Sequence, residues 1–201
     1  MTTLIASTDE NIDQLLVAVR SCRLCEKFLP LEPKPIVIAR PSAKLLIIGQ
    51  APGIRVHKSG IPWNDPSGNR LRQWLGLSMD QFYDQSSIAI MAMGFCYPGT
   101  SGHGDLPPRR ECAVTWHERI RAQLPNIELT LLIGQYAQRH YLTDNYRSLT
   151  ECVKRWQDFL PRFMPLVHPS PRNQRWLKNN PWFERDVIPY LRAYVGRLLL
   201  C

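Results

Sequence analysis

The stretch Leu45–Gly68, LLIIGQAPGIRVHKSGIPWNDPSG, decides the fold. It opens with four consecutive apolar residues, Leu45 to Ile48, which suit a strand buried on both faces. The run stops at Gly49-Gln50-Ala51-Pro52-Gly53, where two glycines around a proline predict a sharp turn and a close approach of the backbone. A second turn cluster, Pro62 to Gly68, precedes a helical pattern from Asn69. A strand that ends in a small-residue loop and leads to a helix is where open α/β sheets bind ligands. This loop carries an amide (Gln50), an aromatic (Trp63), a second amide (Asn64) and a carboxylate (Asp65). That set can recognise and attack a small planar ring. Loops of this kind are also common as plain turns, so the rest of the chain has to carry the argument.

Further along, Ile88 to Met93, Leu129 to Ile133 and Phe163 to Val167 read as three more strands. Helical patterns alternate with them. Asp9 to Ser21 places Ile12, Leu15, Leu16 and Val19 on one face, with Thr8 or Asp9 as its cap. Arg109 to Gln123, Tyr136 to Leu142, Ser148 to Phe159 and Pro181 to Leu199 follow, with a short helix behind Ser78. Residues 26 to 43 are punctuated by prolines and read as irregular. Alternation of this kind predicts a parallel sheet covered on both faces. The loops after the first, second and fourth strands would gather at one edge of it, bringing Gln50, Asp65 and His168 together.

At 201 residues the chain is expected to form one domain with a full core. No apolar run approaches the roughly 20 residues of a membrane span, so no membrane partner is expected. The N-terminal MTTLIASTDE lacks a basic segment followed by an apolar one, which predicts a cytoplasmic protein; a monomer is expected. The net charge of +8 and the isoelectric point near 9.4 suit a polyanionic partner. Arginine outnumbers lysine, and the guanidinium fork fits phosphate oxygens.

Six cysteines occur, and disulfides are not expected in a cytoplasmic chain of this size. Cys152 and Cys201 read as ordinary reduced thiols. Cys22, Cys25, Cys96 and Cys112 lie in or beside loop-rich segments and read as metal ligands. Four thiolates hold either a [4Fe–4S] cluster or one zinc ion, and the spacing alone does not choose between them.

With these residues assembled, the chain resembles the uracil-DNA glycosylase superfamily, closest to its iron–sulfur branch, families 4 and 5. The cysteines carry most of the likeness. A C-x2-C (Cys22, Cys25) follows the first helix, a third cysteine stands in Cys96-Tyr97-Pro98, and Cys112 closes the set. Gly49-Gln50-Ala51-Pro52-Gly53 is similar to the Gly-Glu-x-Pro-Gly motif, Gly60-x-Pro62-Trp63 to Gly-Arg-Pro-Phe, and His168-Pro169-Ser170 to the second active-site motif. The resemblance implies a three-layer α/β/α sandwich around a mostly parallel four-stranded sheet, a [4Fe–4S] cluster rather than zinc, and DNA as partner. It implies excision of uracil or a related deaminated base.

Two departures stand out. Family 4 has Glu where this chain has Gln50, and an Asn four residues before the third cysteine where this chain has Ala92. Asp65-x-Ser67-Gly68 is similar instead to family 5, where the aspartate is catalytic. The implied catalytic set is Asp65, His168 and Gln50, and the base-binding set is Gln50, Ala51, Trp63 and Asn64. In these roles Asp65 would activate water, His168 would donate to the oxygen that gains charge, and Trp63 would stack on the flipped ring. Arg172, Asn173, Arg175 and Lys178 are the DNA-binding candidates. Gly102-His103-Gly104-Asp105 reads as a flexible loop that could touch DNA but carries no chemistry. A non-catalytic nucleic-acid-binding protein on the same fold is the competing reading, favoured by the departures at Gln50 and Ala92. A metal-stabilised α/β enzyme acting on nucleotides is a third.

Overall fold

The computed structural model describes residues 11–102, 104–142 and 146–200. Four strands form one sheet: β1 (Leu45–Gly49), β2 (Ile88–Ala92), β5 (Leu129–Ile133) and β6 (Phe163–Leu166). Their spatial order is β2-β1-β5-β6 and every pairing is parallel. Because strand side chains alternate, β1 feeds two cores. Leu45 and Ile47 pack with Leu71, Trp74, Phe183 and Leu191 on one face. Leu46 and Ile48 pack with Leu15, Val19, Trp116 and Ile120 on the other. This is the expected three-layer α/β/α arrangement, and it explains why the strands are continuous apolar runs.

The helical layers come from α1 (Ile12–Arg20), α2 (Ile54–Ser59), α3 (Pro66–Leu75), α4 (Met79–Tyr83), α5 (Arg110–Cys112), α6 (Glu118–Ala122), α7 (Gln135–Tyr141), α8 (Leu149–Lys154), α9 (Gln174–Asn179) and α10 (Ile188–Leu200). A small hairpin, β3 (Thr100–Ser101) with β4 (Gly104–Asp105), stands apart from the main sheet.

Several expected boundaries shift for identifiable reasons. The cap of α1 is Asn11, which forms a capping box with Gln14; Thr8 and Asp9 lie outside the described residues. The 109–123 helix is continuous but widens by a π-turn over Ala113–His117. The helix expected over 148–159 ends at Lys154 and tightens to a 3₁₀ turn over Trp156–Phe159. The last helix begins with another π-turn, Phe183–Val187, and α9 precedes it where only a loop was expected. The proline-rich 26–43 segment is irregular, yet Ile38 exchanges hydrogen bonds with Ile90 and so covers the free edge of β2. At the opposite edge Pro165 sits in β6, where a missing N–H is tolerated. No helix among the described residues is long and apolar enough to cross a membrane.

Candidate active site and cysteine cavity

In the order β2-β1-β5-β6, chain progression reverses between β1 and β5, and a crevice opens beyond the carboxyl ends of strands at such a point. A pocket of about 460 Å³ lies there. The β1 loop gives it Gln50, Ala51, Trp63 and Asp65; β2 gives it Ala92; the segment after β6 gives it His168, Arg172 and Asn173. The loop geometry read from sequence therefore brings Gln50, Asp65 and His168 into one cavity.

Asp65 is held by its own backbone. It is the N-cap of α3, and its Oδ1 accepts from the Gly68 N–H at 2.8 Å. Its Oδ2 stays beside Gly53, 4.0 Å from where a Cβ there would stand. The capping role and a place in the pocket are thus compatible, one oxygen for each.

His168 is half-buried at the end of β6. Burial pushes its pKa down to about 4, opposed by the Asp65 carboxylate. The ring is therefore neutral at pH 7. The Ser170 N–H donates to its Nδ1 at 3.2 Å, so the proton of the neutral ring belongs on Nε2. Asn173 Nδ2 donates to the His168 carbonyl at 2.8 Å and fixes the backbone. Behind the strand, Gln138 Nε2 donates to the Leu132 and Leu166 carbonyls at 3.2 and 2.9 Å, which ties the ends of β5 and β6 together.

The indole of Trp63 lies 5.5 Å from the His168 ring, centroid to centroid, and over Gly49. A Cβ on Gly49 would fall 2.8 Å from Trp63 Cζ2, so the close backbone approach expected at the first glycine is to this ring. Ala92 contributes only a methyl group and main chain. Its carbonyl accepts from His117 Nε2 at 3.0 Å, while Tyr141 donates its hydroxyl to His117 Nδ1 at 2.6 Å.

Not every expected residue enters the pocket. Asn64 closes the 61–64 turn by donating its N–H to the Ile61 carbonyl, is exposed, and is not part of the lining. Arg175 and Lys178 lie on the exposed side of α9, outside the cavity. Arg172 reaches the rim, where its guanidinium covers Gly104 so closely that a Cβ there would collide with it. Arg70 was not found from sequence, and Asp105 was read only as part of a loop without chemistry. Asp105, at the end of β4, lines the pocket beside Gly53, its Oδ2 also 4.0 Å from where a Cβ there would stand. Arg70 donates to the Ser170 carbonyl at 3.3 Å and to Gln174 Oε1 at 3.0 Å, anchoring the turn after His168 to α3. A two-residue hairpin strand has no periodicity to read, and Arg70 looks like any exposed helix arginine. His103 lies outside the described residues.

Cys22, Cys25, Cys96 and Cys112 line one small cavity, together with Phe95, Trp116 and Arg109. Burial pushes the thiols of Cys96 and Cys112 up to about 11 and 12, and that of Cys25 upward as well. The Phe95 N–H donates to Cys112 Sγ at 3.4 Å. Arg109 pairs with Glu111, and its buried Nε has no hydrogen-bond partner. Among the described residues no three His, Cys, Asp or Glu side chains are grouped tightly enough to hold a single metal ion. Cys152 is buried in α8 and does not line the cavity. Cys201 lies outside the described residues.

A three-layer α/β/α protein with an aromatic plate, a carboxylate and a neutral imidazole at its topological switch point has the parts of a hydrolase for a planar, ring-bearing substrate. Residues 37–192 match the family model described as the Uracil DNA glycosylase superfamily, and the chain belongs to that superfamily. Its members are glycosylase-type hydrolases that act on DNA.

Proposed function

We propose that the protein is a DNA-repair glycosylase that hydrolyses the N-glycosidic bond of uracil, or of a related deaminated base, after the nucleotide has flipped out of the helix. The observation that carries this reading is the pairing of a neutral His168, its proton on Nε2, with the Asp65 carboxylate in one pocket. Cleavage breaks the bond between C1′ and the base nitrogen. The electron pair leaves with the base, whose oxygen gains negative charge, and C1′ becomes cationic. His168 Nε2–H suits the first charge as a donor that needs no change of protonation. The free Oδ2 of Asp65 suits the second, and can take a proton from the water whose oxygen bonds to C1′. Trp63 supplies the flat face on which the flipped ring stacks. Gln50, partly buried on the rim, can pair with a base edge as donor and acceptor.

A [4Fe–4S] cluster is the group we assign to Cys22, Cys25, Cys96 and Cys112. Support comes from four thiols around one cavity and an Arg109 Nε without a hydrogen-bond partner at its wall. Bound there, the cluster would cross-link the N-terminal segment to the 96–112 segment, a structural task rather than a step in the reaction.

The non-catalytic alternative draws on the apolar Ala92, which reads no base edge with its side chain. One experiment separates the two: single- and double-stranded oligonucleotides carrying uracil, hypoxanthine or xanthine, incubated with protein and treated with alkali. Strand scission at the modified base is expected. Tight binding without scission on the whole panel would favour the binding protein.

A further inference from the structure

The turn before Asp65 carries unusual backbone strain. Trp63 is the one non-glycine residue with positive φ among the described residues, at 58°. A bulky side chain in the left-handed region is an outlier, and it persists only where the surroundings over-determine it. Here they do. Tyr83 at the end of α4 donates its hydroxyl to the Pro62 carbonyl at 2.8 Å. Arg72 on α3 donates through Nη1 to the Trp63 carbonyl at 3.4 Å and reaches the Tyr83 hydroxyl at 3.5 Å; its Nη2 donates to Asn69. On the other side only a glycine fits at position 68, because a Cβ would overlap the Trp63 carbonyl.

Arg72 is itself an anomaly. It is only 8% exposed, and no carboxylate pairs with it among the described residues. Its guanidinium rests 5.4 Å from the Phe82 ring and 5.8 Å from that of Tyr83. A buried cation satisfied by one carbonyl, a hydroxyl, an amide and aromatic faces is a costly way to fill a core. Its hydrogen bonds converge on the turn that presents Trp63 and Asp65.

We propose that Arg72 and Tyr83 are positioning residues that lock Trp63 in its left-handed conformation, so that the indole stands beside His168 as a finished stacking plate before DNA arrives. This rests on the glycosylase reading above for what the plate binds. A plate ordered in advance adds no ordering cost when the base enters.

The test uses the full chain labelled with 5-fluorotryptophan. Its six tryptophans give separate fluorine signals, and Trp63→Phe assigns one of them. Tyr83→Phe, which removes a single hydroxyl, and Arg72→Lys should move or broaden the Trp63 signal and leave those of the half-buried Trp176 and Trp182 in place. Each should also raise the half-saturating concentration of modified DNA roughly fivefold, the worth of one net hydrogen bond, without lowering the saturated single-turnover rate. Tyr83→Phe added to Trp63→Ala should cost nothing more. A Trp63 signal unmoved in Tyr83→Phe overturns the proposal, and so does a loss additive with Trp63→Ala. Should no base be released from any substrate, the glycosylase reading fails, while the fluorine spectra still decide the positioning claim. If Arg72→Lys does not fold, Tyr83→Phe decides alone.

Discussion

The pocket and the cysteine cavity share the 94–112 segment as a wall, yet they are held in opposite ways. In the pocket the two candidate catalytic side chains already have protein partners. Asp65 is fixed by the Gly68 N–H, His168 by Ser170 and Asn173, and the turn after it by Arg70. The polypeptide alone can preorganise that site. In the cavity burial favours the protonated thiols of Cys25, Cys96 and Cys112, and the Arg109 side chain, which hydrogen-bonds Cys25, keeps an Nε with no partner of its own. The chain there is arranged for something it does not itself supply. One region is a finished tool; the other is a socket.

The largest effects should come from the socket. Cys112→Ala or Cys22→Ala should give colourless, poorly soluble protein, while anaerobically purified wild type should carry about four irons per chain and Cys152→Ala should keep them. Stoichiometric zinc in a colourless, active preparation would break this side of the contrast. Because metal ligation needs thiolates, reconstitution should release protons and tighten as pH rises.

Next in size are the pocket substitutions. Asp65→Asn keeps a side chain that caps a helix as well as Asp does, so its effect isolates the charge. Single-turnover excision should fall roughly 10²–10³-fold in Asp65→Asn and in His168→Ala, with DNA binding retained. Wild-type rates in Asp65→Asn would hand the water to Gln50 or to Asp105.

A smaller effect should appear in stability against pH. His168 and His117 titrate near 4 when folded, against an ordinary 6.5, mainly because of burial. The unfolded chain therefore binds protons that the folded one refuses. The stability involved is whole above pH 6.5 and is lost as pH falls toward 4, by up to about 1.4 kcal/mol per pH unit for each ring. Thermal melts should drop from pH 7 to pH 5, and less steeply in His117→Gln. A flat profile would mean that these rings are not closed off from water. The smallest change is expected at the surface. Arg175→Ala should weaken DNA binding on all sequences alike and reduce the salt slope by about one.

The buried strands were legible because burial on both faces leaves an unbroken apolar run, as in Leu45–Ile48 and Leu129–Ile133. The cysteines were legible through their placement around turns, although the sequence cannot say that all four reach one cavity. What escaped notice depends on tertiary contact. Asp105 reaches the pocket through a hairpin whose strands are two residues long. The strain at Trp63 is set by Arg72 and Tyr83, neither adjacent to it in sequence. α9 was missed because its six residues carry no side-chain cap and too few apolar positions to show a period.

The excursion from Cys96 to Cys112 is, in polymer terms, a loop that the proposed cluster would pin at both ends, with Asp105 inside it. Pinning the ends removes most of the conformations such a loop could otherwise explore, and the gain is entropic, independent of any contact Asp105 makes. Releasing either end would return that freedom to the pocket wall. Loss of a sulfur anchor would then be felt as a blurred rim around the base, well before the sheet itself gives way.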